Sequence, residues 1–353
     1  MKVITVVGAR PQFIKAAAVS RVFQEQGGIE EVIVHTGQHF DTNMSDVFFE
    51  ELKIPVPHYN LAINSLGHGA MTGRMLEGIE EIIIKEKPDW VLVYGDTNST
   101  LAGALAAKKL HVKVAHVEAG LRSFNIKMPE EVNRILTDRI SDVVFCPTSE
   151  AVSNLLREGF ESLNVKIIKN GDVMQDAALF YADFAKAPTF KLPSKYVLMT
   201  MHRAENTDDL VRLKSIIQSV NEIHQHTAVI WLTHPRTKKI IERENIAIDF
   251  QLLDPVGYLE MIYLLKNCAL VMTDSGGLQK EAFFFEKNCV TLRDETEWVE
   301  LVKNECNILV GANREAILSG FNKMSQKNND FSIDLYGKGT ASAIIAKTLL
   351  NEC

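Results

Sequence analysis

Cysteine is scarce in this sequence, and the cysteines present do not form close pairs. Among 353 residues there are five, an odd number with no CxxC spacing: Cys146, Cys268, Cys289, Cys306 and Cys353. This pattern argues against a disulfide framework and against a metal site built on thiolates. Cys146, Cys268 and Cys289 stand in apolar runs. We therefore expect reduced core cysteines, no metal and a cytoplasmic protein.

An excess of positive charge and long hydrophobic runs are also lacking. The 38 Lys and Arg residues are outnumbered by 45 Asp and Glu residues, which gives a net charge of −7 at pH 7. This balance argues against a nucleic-acid partner or a membrane-surface partner. No apolar run approaches the length of a membrane span, and the N-terminal run 3–8 is too short for a signal-peptide core. The length predicts two domains.

A dinucleotide fingerprint is missing after the first strand-like run. That run leads into GARPQFIK, residues 8–15, which is not GxGxxG, and the second run ends in HTGQHF. A nicotinamide cofactor is therefore disfavoured, and we predict no cofactor. Pro11 suits the first turn of a helix, so Arg10 lies at a helix N-terminus, where anions bind, and Lys15 follows one turn later. The alternative for Arg10 is a structural ion pair.

What the sequence does contain is a repeated alternation of short apolar runs and helix-period segments. The runs lack polar alternation, which is typical of parallel strands buried on both faces. The strand-like runs are 3–8, 31–37, 90–96, 114–120, 143–148 and 165–171, and then 196–202, 228–234, 250–254, 268–274 and 288–294. The stretch 182–195, which contains two prolines, resembles a linker.

This βαβ order predicts an α/β protein with two Rossmann-like, doubly wound parallel-sheet domains facing a cleft. We expect an N-terminal domain over 1–171 and a C-terminal domain over 172–338. The last segment, 339–353, is predicted to form a helix that packs back on the first domain. Ligands of such sheets bind at the carboxyl ends of the strands, so the residues after each strand are the candidate site.

Carboxylates follow two of the strand-like runs in the first half. Asp96 and Glu118 stand at strand ends, and Glu130 and Glu131 begin a predicted helix with Arg134 one turn later. Each acid also has a structural interpretation, because Asp96 can cap a helix and an acid in a first turn complements the helix dipole. If Asp96, Glu118 and one of the paired glutamates converge, they provide a general acid and a general base.

Groups suited to an anion follow the strands of the second half. They are His202 with Arg203, His234, and the run Ser275, Gly276 and Gly277. The serine and the two glycines offer a hydroxyl and unhindered amides at a helix start, which is an anion nest. Glu281, one turn later, either accepts from a ribose hydroxyl or is an ordinary surface acid. Together these groups favour a nucleotide diphosphate whose attached group meets the acids.

These motifs, in this order, resemble the non-hydrolysing UDP-N-acetylglucosamine 2-epimerase family over nearly the whole chain. The matching segments are GARPQFIK, YGDTNSTLAGALAA, HVEAGLRS, PEEVNRILTD, TDSGGLQKEA and LRDETE. The resemblance implies a GT-B fold and an isomerase that inverts C2 of a UDP-N-acetylhexosamine. The implied reaction eliminates UDP to a 2-acetamidoglucal and adds it back, for the synthesis of cell-surface polysaccharide. The implied partners are a UDP-sugar and a second copy of the chain, in a homodimer.

The resemblance and the strand-end positions together assign roles to single residues. We predict as catalytic residues Asp96, Glu118, Glu130 and His202. We predict as ligands of the UDP-sugar Arg10, Lys15, Arg134, His234, Ser275, Gly276, Gly277 and Glu281. Some members of the family bind a second, activating UDP-sugar, and the residues that lie there are Gln38, His39 and Arg74.

The sequence also departs from the usual family pattern. Ala9 and Gln12 replace the usual Thr and Glu, and ETEWVE replaces an ETERPE-like stretch. These variants are similar to a subgroup that acts on UDP-2,3-diacetamido-2,3-dideoxyglucuronate, an O-antigen precursor, and this substrate is the first alternative. The remoter alternatives are a GT-B glycosyltransferase, a hydrolysing epimerase and an inactive UDP-sugar sensor.

Overall fold

The computed structural model describes residues 1–38, 52 and 54–352, which form two compact units. The first unit comprises Met1–Ala177 with Asp334–Cys353, and the second comprises Ala178–Ile333. The chain changes unit within the helix Val173–Tyr181, somewhat after the boundary predicted at 171. It returns to the first unit at Asp334, a little before the predicted residue 339.

The first unit is built on a seven-stranded parallel sheet. Its strands are β1 Lys2–Val7, β2 Glu30–His35, β3 Tyr59–Asn60, β4 Trp90–Tyr94, β5 Lys113–Val117, β6 Val143–Cys146 and β7 Lys166–Lys169. The strands lie in the order β3-β2-β1-β4-β5-β6-β7, so the direction of winding reverses between β1 and β4. The central strands are buried on both faces, which explains why their sequences are apolar throughout.

Helices cover this sheet, and the C-terminal helix is one of them. The helices of the first unit are Arg10–Gln26, His68–Glu86, Asn98–Lys109, Pro129–Ile140, Ser149–Arg157, Val173–Tyr181 and Ala341–Asn351. The last of these packs against the first helix. The Asp176 carboxylate accepts hydrogen bonds from the amides of Ala341, at 3.2 Å, and Ser342, at 2.6 Å, at the start of that helix. These bonds attach the end of the chain to the first unit.

The second unit repeats the plan with a six-stranded parallel sheet. Its strands are β8 Tyr196–Met201, β9 Ala228–Thr233, β10 Leu252–Leu253, β11 Leu270–Thr273, β12 Cys289–Thr291 and β13 Asn307–Leu309. Their order is β10-β9-β8-β11-β12-β13, with the reversal between β8 and β11. The helices are Ala204–Thr207, Leu210–His224, Pro235–Arg243, Tyr258–Asn267, Gly276–Phe284, Val299–Lys303 and Arg314–Gln326.

The cysteines contribute to the two cores. Cys146, Cys268, Cys289 and Cys306 are buried free thiols. Burial raises the pKa of the Cys268 and Cys289 thiols to about 12 each, so both are uncharged packing residues at neutral pH. Within the described residues, no helix is both long enough and apolar enough to cross a membrane.

Candidate active site

The predicted site residues lie at the switch point of each sheet, where neighbouring strands wind in opposite directions. In the first unit, β1 leads into Arg10 and β4 leads into Asp96. In the second unit, β8 leads into His202, and β11 leads into Ser275. Crevices outside the carboxyl ends of strands form at such points because the helices on either side diverge. Each unit therefore contributes one candidate binding surface.

Asp96 is held in place by two residues of the helix Pro129–Ile140. The Arg134 guanidinium donates to its carboxylate, and the Asn133 side-chain amide donates to its backbone carbonyl at 2.9 Å. Burial raises the pKa of Asp96; Arg134 opposes this rise, and the negative charge of Glu118 adds to it. The Asp96 carboxyl is thus more readily protonated than an ordinary aspartate.

Glu118 stands at the end of β5, and its backbone is unusual. Its φ of +69° lies in the left-handed region, which non-glycine residues rarely adopt and which costs about 1–3 kcal/mol. Its carboxylate forms an ion pair with Lys15 Nζ. A Cβ atom added to Gly95 would lie 3.3 Å from Glu118 Oε2, so the bare glycine before Asp96 leaves room for this carboxylate. Lys15, predicted as a ligand of the UDP-sugar, contacts this glutamate in the structure.

The two adjacent glutamates of the helix Pro129–Ile140 have different environments. Glu131 is 1% exposed and accepts from the amides of Ser123, at 3.0 Å, and Phe124, at 2.9 Å, and from Arg134 at 2.6 Å. Burial alone would raise the pKa of Glu131, but these hydrogen bonds hold it below its usual value. Glu131 therefore stabilises the loop before the helix. Glu130 is exposed and accessible to a ligand, as a catalytic role requires.

Gln12, one of the departures from the family pattern, connects the ends of β1 and β4. Its Oε1 accepts from the amides of Gly8, at 2.8 Å, and Ala9, at 3.0 Å. Its Nε2 donates to the carbonyl of Tyr94 at 2.7 Å and to the hydroxyl of Thr97 at 3.0 Å. An ionised glutamate at this buried position would offer only acceptors. The surroundings of residue 12 thus require an amide.

In the second unit, Asp274 joins the two strand ends of the switch point. The carboxylate is fully buried and accepts from the backbone amides of His202, at 3.1 Å, and Arg203, at 3.0 Å. The His202 ring nitrogen Nδ1 lies 3.6 Å from it, and about half of that side chain is exposed. Asp274 therefore places an accessible imidazole beside the run that begins at Ser275.

Ser275 caps the helix Gly276–Phe284 and leaves amides available at its start. The serine Oγ accepts from the amide of Leu278 at 3.4 Å. The first amides of a helix have no intrahelical partner, so those of Gly276 and Gly277 remain for an anion. This arrangement is the nest that the sequence predicts.

The two glycines of the nest are needed for different reasons. A Cβ atom at Gly276 would lie 2.2 Å from Oε1 of Glu297, whose Oε2 is paired with Arg293 at 2.9 Å. A Cβ atom at Gly277 would meet nothing closer than Ser275 Oγ, at 4.0 Å, in the described part of the chain. The first glycine is therefore required by packing within the protein, whereas the second leaves its surface open.

The other predicted ligands of the UDP-sugar lie at helix starts or on helices. Arg10 is the first residue of its helix and is half-buried. His234 caps the helix Pro235–Arg243, where its Nδ1 accepts from the amide of Arg236 at 3.3 Å. Glu281 is half-buried on the helix that begins after Ser275. The structure thus gives His234 a capping role that the sequence analysis did not anticipate.

The predicted second UDP-sugar site is only partly described. Gln38 Oε1 accepts from Ser99 Oγ at 2.8 Å, and Arg74 is exposed on the helix His68–Glu86. His39 lies outside the described residues. This second site stays a prediction. Among the residues that the structure describes, no group of His, Cys, Asp and Glu is arranged to hold a metal ion.

Sequence analysis missed the buried polar residues that hold these groups in place. Gln12 appeared only as a departure from a motif, and Asp274 only as a letter of the TDSGG segment. His116 and Asp138, which lie under the ends of β4 and β5, were not selected. A signal was available for His116, because a polar residue inside an apolar strand must find a partner.

The fold and the two strand-end surfaces define a protein of the GT-B type, with acids in one unit and an anion nest in the other. The chain belongs to the UDP-N-acetylglucosamine 2-epimerase family, whose model matches residues 21–350. Its homologues are named UDP-sugar 2-epimerases, which are isomerases. The family, the fold class and the enzyme class predicted from the sequence are thereby confirmed.

Individual relatives cover almost the whole chain. A Pseudomonas aeruginosa protein named UDP-2,3-diacetamido-2,3-dideoxy-D-glucuronate 2-epimerase is 59% identical over 352 residues, which are 99% of each chain. The crystal structure of the Methanocaldococcus jannaschii UDP-GlcNAc 2-epimerase in complex with UDP-GlcNAc and UDP is similar with a TM-score of 0.88 and 44% identity, over 99% of this chain and 100% of that one. The Neisseria meningitidis UDP-GlcNAc 2-epimerase bound to UDP-GlcNAc gives a TM-score of 0.87 and 32% identity, with the same coverage.

Proposed function

We propose that this protein is a non-hydrolysing 2-epimerase of UDP-2,3-diacetamido-2,3-dideoxyglucuronate. The sequence motifs alone favoured UDP-GlcNAc and left the diacetamido uronate as the alternative. The relative named for the uronate is 59% identical, against 43% for the Methanocaldococcus jannaschii relative named for UDP-GlcNAc, and this difference supports the reverse order. UDP-GlcNAc is the second candidate, because a similar solved structure holds it.

The chemistry common to both substrates requires an acid and a base but no redox step. The hydrogen at C2 is not adjacent to a carbonyl, so its removal alone would leave a poorly stabilised carbanion. Loss of UDP from C1 solves this problem. The C2 proton leaves to a base, the C2–H electrons form the C1–C2 double bond, and the C1–O bond breaks with its electrons passing to UDP. UDP then adds back to C1 of the glycal, and an acid delivers a proton to the opposite face of C2.

The observation that carries the proposal is the placement of Asp96 and Glu118 at the ends of adjacent strands. Each carboxyl has a cation beside it, Arg134 for the first and Lys15 for the second. Their surroundings differ, because burial raises the pKa of Asp96. A carboxyl that is more readily protonated, with a second carboxyl at the next strand end, suits the two proton transfers at C2. Glu130, exposed on the neighbouring helix, is the third acid within this proposal.

The departing nucleotide requires cationic and amide groups, and the second unit supplies them. In this proposal the diphosphate lies at Ser275, Gly276 and Gly277, and His202 stabilises its charge. Glu281 accepts a hydrogen bond from the ribose. Charge on UDP increases as the C1–O bond breaks, so these groups bind the transition state more tightly than the substrate.

A proton NMR time course in heavy water tests the proposal, with the two UDP-sugars in parallel. We expect the diacetamido uronate to lose its C2 proton signal and to yield its C2 epimer without any acceptor, faster than UDP-GlcNAc does. Asp96→Asn and Glu118→Gln should each abolish exchange while UDP still binds. Release of free sugar would instead indicate a hydrolysing enzyme. Absence of exchange with both substrates would refute the proposal.

The setting of this activity is also part of the proposal. An epimerase of this substrate would supply lipopolysaccharide O-antigen synthesis or, with UDP-GlcNAc, a capsule, and it would act in the cytoplasm. The homodimer also stays a prediction, which sedimentation equilibrium of the purified protein tests.

A further inference from the structure

A buried chain of charged side chains lies beneath the two candidate carboxylates of the first unit. His116 Nδ1, in β5, lies 2.7 Å from Oδ1 of Asp138, and both side chains are fully buried. The second oxygen of Asp138 accepts from Arg122 Nη1, also at 2.7 Å. Arg122 continues to Glu158 through two hydrogen bonds of 2.7 and 2.8 Å. None of these groups has been given a role in the reaction above.

This chain contacts the backbone on both sides of the site. His116 Nε2 lies 2.7 Å from the carbonyl oxygen of Gly95, and the amide of Gly120 donates to Asp138 at 3.1 Å. The Gly95 carbonyl shares one peptide plane with the amide of Asp96, so a hydrogen bond to this carbonyl fixes the orientation of the Asp96 backbone amide.

The neighbouring residue Glu118 depends on the same chain. It lies between His116 and Gly120 and has a φ of +69°. A strained backbone of this kind persists only where its surroundings determine it from several sides. Asp138 supplies such a constraint, because it holds His116 on one side of the glutamate and Gly120 on the other.

The hydrogen bonds also determine where the protons are. The Gly95 carbonyl can only accept, so His116 Nε2 carries a proton. Oδ2 of Asp138 accepts hydrogen bonds from Arg122 and Gly120. Burial alone would raise the pKa of Asp138, but the bond to His116 and the charge of Arg122 hold it below its usual value. Nδ1 of His116 faces Oδ1 of Asp138, so the imidazole bridges the Gly95 carbonyl and this carboxyl group.

We infer that His116 and Asp138 are positioning residues of the epimerase reaction, and that they set the backbone from which Asp96 and Glu118 reach C2. The inference rests on the proposed function. Both residues are fully buried, so they act through the peptides of Gly95 and Gly120 and do not touch the substrate themselves. The competing possibility is a purely structural network that affects only stability.

Two substitutions of His116 separate its two hydrogen bonds. In His116→Gln the side-chain amide nitrogen replaces Nε2, which keeps the bond to Gly95. In His116→Asn it replaces Nδ1, which keeps the bond to Asp138 and loses the bond to Gly95. Displacement of a catalytic group by about 1 Å costs roughly 100-fold in rate, so we expect kcat to fall by that order in the Asn variant. The Gln variant should stay within roughly tenfold of wild type, which is the rescue expected of a positioning role.

A matched control comes from the far end of the same chain of charges. Glu158→Gln weakens the pair with Arg122 where the glutamate is partly exposed, remote from Gly95. We expect it to lower the melting temperature without changing kcat. All rates are measured well below each melting temperature, with the diacetamido uronate and UDP-GlcNAc. KM and UDP affinity should stay near the wild-type values in all three variants, because neither His116 nor Glu158 is a predicted ligand of the UDP-sugar.

The possible results separate the hypotheses. Equal kcat values in wild type and folded His116→Asn would overturn the inference, as would a kcat that falls equally in all three variants. If the histidine variants do not fold, nitrogen-15 NMR of the wild-type imidazole still tests the network: a protected Nε2–H proton supports the bond to Gly95, and an Nε2 without a proton contradicts it. A wild-type protein that exchanges no C2 proton would refute the proposed function, whereas the imidazole spectrum does not depend on that function.

Discussion

The two glycines of the nest provide a direct test of where the diphosphate binds. Gly276 and Gly277 are consecutive, and each can be changed to alanine. A methyl group at Gly276 would lie 2.2 Å from Glu297, but at Gly277 it would meet nothing closer than 4.0 Å in the described part of the chain. The two substitutions are thus chemically identical and differ only in what each new Cβ atom contacts.

We expect Gly276→Ala, but not Gly277→Ala, to lower the free energy of unfolding. In Gly276→Ala the Glu297 carboxylate must move and weaken its pair with Arg293, so we expect a loss of about 2 kcal/mol, the value of a hydrogen bond between charged groups. In Gly277→Ala no contact is lost, and alanine is favoured over glycine in a helix by about 0.5–1 kcal/mol. The free energy of unfolding should therefore fall in the first variant and be unchanged or rise in the second.

The expected effect on UDP binding separates stability from function. If the diphosphate lies on the amides of the nest, the methyl group of Gly277→Ala blocks its approach. We expect at least a tenfold weaker Kd for UDP, which corresponds to about 1.4 kcal/mol. Thermal unfolding followed by circular dichroism gives the stabilities, and isothermal titration with UDP gives the affinities without any need for turnover.

The reasoning fails if Gly277→Ala binds UDP as wild type does while keeping its melting temperature. That result would place the diphosphate away from this turn. A Gly276→Ala variant of unchanged stability would instead contradict the packing argument for Glu297 and leave the binding argument intact.

Further predictions concern the first unit. Burial raises the folded-state pKa of Asp96, so the wild type loses stability relative to Asp96→Asn as pH rises through that pKa. When both proteins are unfolded between pH 4 and 8, the free energy of unfolding of Asp96→Asn relative to wild type should increase with pH. The variant should also lose turnover. A difference in free energy that does not change with pH would contradict the burial argument. Glu131→Gln should lower the melting temperature. The decrease should be complete above the usual glutamate pKa of about 4.3 and should shrink as pH falls through the depressed folded-state pKa of Glu131. Glu130→Gln should instead abolish turnover at an unchanged melting temperature. Gln12→Glu should destabilise by about 2–3 kcal/mol in chemical unfolding, because the bond to Tyr94 is lost, and a stable variant would refute the requirement for an amide.

Much of the fold could be predicted from sequence because parallel strands buried on both faces need continuous apolar runs. Each of the eleven predicted runs overlaps a strand of the structure. The strands β3, of two residues, and β13, of three residues, were missed. The chain passes between the two units within the helix Val173–Tyr181, a few residues after the predicted boundary.

The candidate site, like the fold, could be predicted from the sequence only in part. The motifs identified polar residues that follow the strands, such as Asp96 and Ser275, because strand ends are visible in sequence. Residue type alone could not distinguish Glu130 from Glu131, since both are acids in the same first turn, and the choice of Glu130 came from the resemblance to the family. Only the fold shows that one accepts hydrogen bonds from a loop and the other is exposed. The buried residues Gln12 and Asp274 also needed the fold, because their partners are remote in the chain.

The amino-acid sequence by itself determined the class of fold, the family and the set of chemical groups available, because these depend on local order: which residue follows which strand. The tertiary structure decided which of those groups are accessible and which are fixed. Burial and hydrogen bonding depend on neighbours that the chain brings together from distant segments, such as His116 with Gly95 and Asp138 with Gly120. No spacing along the chain encodes those contacts.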